Sequence, residues 1–561
     1  MGVSDAFRRP AWVIAALSLL GCGGAQVDVP SLGTPPPHPP ASPRVKSPEV
    51  ASPKTPQPLP EGSIAAPGPL LLQRASGNRR WVALCQARED SDGDGQVAFH
   101  VGPRGELLGD AVRSYLVRGA GEGTPLDEFI DADPSGRWLL LRREGRLELF
   151  DDFSGEATDL SALGADARDD VSRDLPHRAL SFDAAGKLAY LRLGAHESGM
   201  LPGQRKEQLV LRDLESGTER VFDPGRGSVY RLRLDATGNW LVLEVLIDDT
   251  NKNGRFDWPL PEQGSGVSKR CVSSRATYSV YPGRGDRVYT RSLYLGDVSR
   301  GKPAKLERRD GLVTPLGKRL IYRGASPKLF SRAYRRGRPH SEALDLEDCE
   351  PRVLYADAAR NSLVVACEPS REQVKKTHNY RHAVELVRLL GGGQIERKPL
   401  GFDLAPIRGD TWAGALSGPR LLHFYPGSET RVLDLQNTEV LPLKVGDIVL
   451  HTYEAHALVR RGNSLWLFDA QAAESSGDKS AWLDLGAKVD EVSEELHRGR
   501  FSWVSPQWID LGAGRVLGKQ ARVLALSDDG RALVPLRPEE TSEELATGPL
   551  VWVESAAPTL P

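Results

Sequence analysis

Asp133-Pro134-Ser135-Gly136-Arg137-Trp138-Leu139 returns as Asp183-Ala184-Ala185-Gly186-Lys187-Leu188-Ala189 and again as Asp235-Ala236-Thr237-Gly238-Asn239-Trp240-Leu241. Each copy reads as a tight turn that opens an apolar strand. The Asp side chain can bond to backbone two residues on, the Gly accepts a positive φ, and the residues that follow alternate toward a core. The copies recur about every fifty residues, the scale at which supersecondary units stack into solenoids or propellers.

A second element travels with this turn. Leu147-Glu148-Leu149-Phe150-Asp151, Leu209-Val210-Leu211-Arg212-Asp213, Arg431-Val432-Leu433-Asp434-Leu435 and Leu465-Trp466-Leu467-Phe468-Asp469 are strands that close on or near Asp. Ser154-Gly155 and Ser216-Gly217 then turn the chain into a further strand. Strand, turn, strand, loop, strand, Ser-Gly turn, strand is a four-stranded antiparallel blade, and blades stacked radially bury their faces on one another. These residues resemble the repeats of TolB-like and WD40-type β-propellers. The resemblance implies an all-β chain. At about sixty to seventy residues per unit, positions 66–556 hold about seven blades. Weaker copies are read at Tyr281-Pro282-Gly283, Pro315 to Leu320, Asp357 to Arg360 and Ser527 to Leu533, and the stretch from 290 to 345 is the least legible. The closing strand Leu550-Val551-Trp552-Val553 is expected beside Leu70-Leu71-Leu72, joining the ends of the ring. Two domains split near residue 400 are the competing architecture.

The composition agrees with a turn-rich β chain: Gly 57 and Pro 41 in 561 residues, with 40% hydrophobic residues. A formal net charge of −2 gives no global field for nucleic acid, which is not expected as a partner.

At the N-terminus Arg8 and Arg9 precede an apolar run from Ala11 to Leu20, ending Leu19-Leu20-Gly21-Cys22. A basic-then-apolar leader of this length is a secretion signal. Its last four residues resemble the lipobox of bacterial lipoproteins. The resemblance implies that 1–21 is removed and that Cys22 carries acyl chains into the lipid bilayer. Gly23 is not the Asp that retains such proteins in the inner membrane, so the outer membrane is the expected destination. A plain cleaved signal and an uncleaved anchor are the alternatives. Positions 22–65, rich in Pro, Ser and Ala, bury no core and read as a disordered, semi-rigid stalk. Positions 557–561 form a short tail.

Cys85, Cys271, Cys349 and Cys367 form an even set consistent with two bridges in an oxidising compartment, against buried free thiols as the bland reading. Cys349 with Cys367 is the favoured pair, since the short segment between them can fold back as a hairpin.

Two loops are rich in oxygen ligands: Asp90-Ser91-Asp92-Gly93-Asp94-Gly95, and Asp249-Thr250-Asn251-Lys252-Asn253-Gly254 continuing to Asp257. Oxygens at alternate positions converge as the chain curls, and Gly at the sixth permits the sharp turn, which is calcium geometry. The loops resemble the calcium hairpins of integrin-type propellers. The second fits throughout; in the first Ala98 stands where the last Asp belongs, so that site is weaker or completed from elsewhere. A calcium ion here has a structural role, and the bland alternative is a solvated Asp/Asn/Gly turn. His378 with His382, and the basic run Arg332 to His340, read as surface loops.

No Gly-x-Ser-x-Gly elbow, phosphate loop, dinucleotide fingerprint or zinc-protease helix occurs. The expected function is a membrane-anchored binding scaffold that displays its loops to an envelope protein or polymer. The alternative is an exported hydrolase or lyase acting on an extracellular polymer. Clustered carboxylates or histidines at the channel would favour catalysis.

Overall fold

The chain divides into two units, Met1–Pro58 and Leu59–Pro561. The computed structural model describes residues 63–64, 69–101, 107–119, 123–165, 180–182, 186–194, 199–202, 204–234, 240–256, 286–295, 304–305, 313–323, 328–335, 338–346, 349–369, 374–375, 377, 380–404, 420–424, 430–441, 443–476, 481–489, 494–519, 522–535, 545–547 and 549–554. All of them lie in the second unit. They are almost wholly β-strand, and the helix Ala470–Ser476 is a short insertion. Among the described residues no helix is long and apolar enough to cross a membrane.

The turn phrase folds as its chemistry dictates. Asp133 is buried and its carboxylate accepts from Ser135 N–H at 3.1 Å and from Trp138 N–H at 2.8 Å. Gly136 closes the turn at φ 72°, in the left-handed region a side chain would strain. Elsewhere the same turn is built from other residues. At Asp357 the carboxylate accepts from Ala359 and Arg360 N–H, and Asn361 takes the left-handed position at φ 53°. At Ser527 the hydroxyl stands in for the carboxylate and accepts from Arg531 N–H at 2.7 Å. The strand-ending acid works likewise. Asp151 accepts from Phe153 N–H and takes a two-pronged bond from Arg137 at 3.0 and 2.9 Å. The Arg137 hydrogen bond is the largest influence on Asp151 and holds its carboxyl down at about 2. Asp469 instead caps the helix Ala470–Ser476, accepting from Gln471 and Ala472 N–H.

Among the described residues the strands make ten sheets of three to five strands and one two-stranded ribbon, Phe99–Val101 with Leu107–Gly109. Numbered in chain order, sheets 1 to 10 have first strands at Pro69–Ala75, Glu128–Ala132, Leu180–Phe182, Ser228–Leu234, Val313–Leu316, Cys349–Asp357, Leu421–Phe424, Asp447–Tyr453, Glu495–Arg498 and Ala525–Leu526. Within each sheet the strands pair antiparallel. The described residues hold ten such sheets against the seven blades expected, because many units are shorter than sixty residues: from Asp447 to Val553 the chain supplies two whole sheets and three strands of a third. The illegible stretch holds sheet 5. The basic run is its Leu329–Arg335/Arg338–Ala343 hairpin and not a loop, with Arg332 buried against Ser341 Oγ. His382 is likewise buried at the start of the strand His382–Gly391.

Each sheet shares an apolar cluster with the next. Leu140 and Leu149 of sheet 2 meet Leu188 and Tyr190 of sheet 3; Leu450 and Leu467 of sheet 8 meet Val504 and Ile509 of sheet 9. Among the described residues such clusters link each sheet to the next, and Leu533 and Leu550 of sheet 10 lie with Leu70 and Val82 of sheet 1. This is the β-propeller arrangement, in which every sheet face is covered by a neighbour. Buried indoles tie neighbours together: Trp81 Nε1–H donates to Gly136 O at 2.7 Å and Trp240 Nε1–H to Gly317 O at 2.9 Å, each in the next sheet's turn.

The chain ends meet, but not as expected. Leu550–Val553 pairs with Ala532–Pro535 and with Ser63–Ile64, a strand inside the stretch read as stalk. Pro69–Leu70 pairs instead with Ala546–Thr547. The N-terminal strand therefore completes the last sheet while a C-terminal one joins the first, an exchange that only the return of the chain can specify.

Candidate metal loops and a histidine row on the inner strands

The two acidic loops are built on closely similar lines. Asp90 accepts from Gly93 and Gly95 N–H at 2.7 and 2.8 Å; Asp249 accepts from Asn253 and Gly254 N–H at 3.1 and 2.7 Å. The fourth residue is left-handed in both, Gly93 at φ 77° and Lys252 at φ 59°. Asp94 Oδ1 accepts from Gln96 N–H, and Asn253 Oδ1 from Arg255 N–H.

Each loop is braced by a buried Asp that stands two residues before a later strand, which the sequence reading missed. Asp110 accepts from the backbone N–H of Ser91, Asp92 and Ala98 and from the Ser91 hydroxyl. Asp286 accepts from Thr250 N–H at 2.6 Å, the Thr250 hydroxyl at 3.0 Å and Asn251 N–H at 3.1 Å. These backbone donors, Ala98 foremost, hold the Asp110 carboxyl below the usual range. A signal was present: Gly109-Asp110-Ala111-Val112 and Gly285-Asp286-Arg287-Val288 share one pattern. At Gly109, φ 102°, an added Cβ would lie 2.7 Å from Ala98 O, so the approach that seats Asp110 requires Gly.

Carboxylate oxygens of Asp90, Asp92 and Asp110 lie within 4.8 Å of one another, a group able to hold a metal ion. Asp94, expected as a ligand, is not in that group; Asp110 takes its part and completes the loop where Ala98 could not. In the second loop Asp249, Asn251 and Asn253 occupy the corresponding positions, and Asp257 lies outside the described residues.

Cys85 and Cys367 are each disulfide-bonded. Cys349 lies on the strand beside that of Cys367, with Pro369 opposite Cys349 and Pro351 opposite Cys367. Cys22 and Cys271 lie outside the described residues.

A third constellation was not read from sequence. First strands of several neighbouring sheets approach one another, as in sheets 3 and 4, 5 and 6, 7 and 8, and 9 and 10, and are the inner strands of the arrangement. Three of them, in sheets 7, 8 and 9, carry His423, His451 and His497. The rings of His451 and His497 stack with centroids 4.6 Å apart and planes at 7°. His451 Nε2 is 2.8 Å from Gly499 O, so that nitrogen carries the proton, and its Nδ1 is buried with no hydrogen-bond partner. His497 Nε2 lies 3.3 Å from a Glu495 oxygen, which leaves Nδ1 to accept from the Ser502 hydroxyl at 3.0 Å. Burial first, and then the neighbouring imidazoles, push His423 down to about 4. Burial does the same to His451, also to about 4, against the opposing pull of the Gly499 carbonyl. Both are neutral at physiological pH. The Ser502 hydroxyl is fully buried behind His497, so the Ser–His–Glu contact fixes a ring orientation and presents no accessible nucleophile.

No protein-family model and no curated protein matches the chain. Among solved structures it is similar to dipeptidyl peptidase 4 of Porphyromonas gingivalis, at 12% identity and TM-score 0.34, over 71% of this chain and 57% of that one. It is also similar to the WD40 domain of SCAP from fission yeast, at 10% identity and TM-score 0.26, over 80% and 94%. A eukaryotic initiation factor is similar at 9% identity and TM-score 0.35, over 76% and 98%. The chain spans little more than half the length of the peptidase. None of these likenesses bears on activity.

Proposed function

We propose that this is a lipid-anchored protein of a bacterial envelope, held at the outer membrane through Cys22, whose propeller is a binding scaffold with calcium-stiffened loops. The observation that carries the reading is the duplicated hairpin. Two loops with closely similar hydrogen-bond schemes, each buttressed by a buried Asp, suit a hard cation bound by oxygens, and rigid loops suit recognition. The disulfides at Cys85 and Cys367 suit an exported chain, and of the three connectivities four cysteines allow, Cys349–Cys367 is the favoured pair, which leaves Cys271 for Cys85. The partner is an envelope protein or polymer.

A second reading, an exported propeller hydrolase or lyase, draws on the three imidazoles of the inner strands. One experiment separates the two. The tagged full chain is incubated with envelope extract, and both retained partners and degraded polymer are assayed. Saturable retention without degradation supports the scaffold. Polymer cleavage that His497→Gln abolishes supports the enzyme. Cys22→Ser tests the anchor: the variant should leave the membrane fraction, and its retention there would refute lipid attachment.

A further inference from the structure

The second acidic loop holds the one Asn-Gly step in the chain, Asn253-Gly254. Because Gly254 has no Cβ, its amide nitrogen can close on Cγ of the preceding Asn and form a cyclic imide. Two contacts of the loop favour that closure. Gly254 N–H donates to Asp249 Oδ2 at 2.7 Å, which sets a carboxylate against the proton the nitrogen must lose. Asn253 Oδ1 accepts from Arg255 N–H at 3.0 Å, a donor aimed at the oxygen on which charge develops. Gly254 stands at φ 85° with nothing within 4 Å of where a Cβ would sit, and residues 251–255 are exposed, so water reaches the imide.

The first loop shows the product's geometry. Asp94-Gly95 occupies the positions of Asn253-Gly254. Gly95 N–H donates to Asp90 Oδ2 at 2.8 Å, and Asp94 Oδ1 accepts from Gln96 N–H at 2.7 Å. The turn thus accommodates a carboxylate where the second loop carries a carboxamide.

We propose that Asn253 is a site of self-modification, deamidated by attack of the Gly254 nitrogen with Asp249 as the base. The bond from Gly254 N to Asn253 Cγ forms as Asp249 takes the N–H proton. The Cγ–Nδ2 bond then breaks, and the same proton leaves with Nδ2 as ammonia. Water opens the imide at either carbonyl, giving Asp or isoaspartate, and no oxidant, reductant or cofactor is consumed. The Asp product adds a carboxylate to the second loop and raises its affinity for a divalent cation, since the charge of the ligands tunes it. That consequence rests on the calcium reading; the deamidation does not.

The test is a time course of the full chain in warm, neutral buffer with chelator, followed by peptide mass spectrometry. Asn253 should convert at least about tenfold faster than Asn251, which shares the loop and its exposure but precedes Lys252. Asp249→Asn should slow Asn253 about a hundredfold, the low end for a positioned base. Were Asp249 only a pin for the turn, its loss would free Gly254 and speed the reaction. The pH profile of the wild type decides the point should that variant misfold. A positioned carboxylate keeps the rate nearly level around neutral pH, whereas closure driven by hydroxide climbs about tenfold per pH unit. Asn253 no faster than Asn251, a faster Asp249→Asn variant, or the hydroxide profile would overturn the proposal and leave the calcium reading standing. Calcium titration of Asn253→Asp beside wild type separates the two: tighter binding by the variant supports the stated consequence, and binding by neither refutes the calcium reading while the deamidation stands.

Discussion

Acid should loosen this protein in a window set by its histidines, before its carboxylates titrate. His423 is fully buried, and its imidazole stays neutral down to about pH 4, against an ordinary value of 6.5. The unfolded chain takes up that proton near pH 6.5 while the folded chain refuses it until about 4. Stability is therefore complete above 6.5 and declines as the pH falls toward 4. At about 1.4 kcal/mol per pH unit, His423 alone accounts for roughly 3 kcal/mol over the whole interval and roughly 2 kcal/mol between pH 7 and pH 5. His451 acts in the same direction, but the two rings repel each other, so their contributions do not add in full. Asp151, held near 2, and Asp110, also lowered, lose their contributions only below the ordinary carboxylate range. The window from pH 7 to pH 5 is thus nearly free of them. The assay is urea denaturation of wild type and His423→Leu at both pH values. Wild type should lose roughly 2 kcal/mol more than the variant on going to pH 5. Equal losses would refute the claim that the fold keeps this imidazole neutral.

Chelation should lower the melting temperature of the calcium-loaded chain, and Asp110→Asn or Asp249→Ala should remove much of that response; a wild type indifferent to chelator in calorimetry would refute the calcium assignment. Trp81→Phe keeps a ring against Phe129 but strands the Gly136 carbonyl, so urea denaturation should show a loss of about 1–3 kcal/mol, and none if the indole bond between sheets 1 and 2 is idle. Reduction with a thiol should cost about 2–5 kcal/mol for a bridge of ordinary strength, read as a drop in denaturation midpoint; an unchanged midpoint after confirmed reduction would show that the bridges are not structural.

What could be read in the sequence is what is decided within a few residues. Asp133 and Gly136 close a turn with their own neighbours, and the strands that follow alternate by local sterics, so blade, class and turn were legible. The Asp90 and Asp249 loops were legible for the same reason: most of their donors lie within five residues. What escaped depends on residues far apart along the chain. Asp110 reaches Asp92 from eighteen positions away and Asp286 reaches Asn251 from thirty-five, with only a shared Gly-Asp-x-Val to mark them. The basic run around Arg332 looked like a solvated loop because its burial depends on the hairpin partner Ser341 and on the face of Tyr322. The number of sheets and the exchange of Ser63–Ile64 and Ala546–Thr547 between the chain ends follow from how curved sheets close on one another. His423, His451 and His497 share no spacing or motif. They become neighbours because each sits on the first strand of its sheet and the three sheets are consecutive, so that packing brings His451 and His497 into a stack. Local backbone chemistry thus wrote the repeated unit into the sequence, while the packing of each sheet against its neighbours decided which side chains from distant units meet.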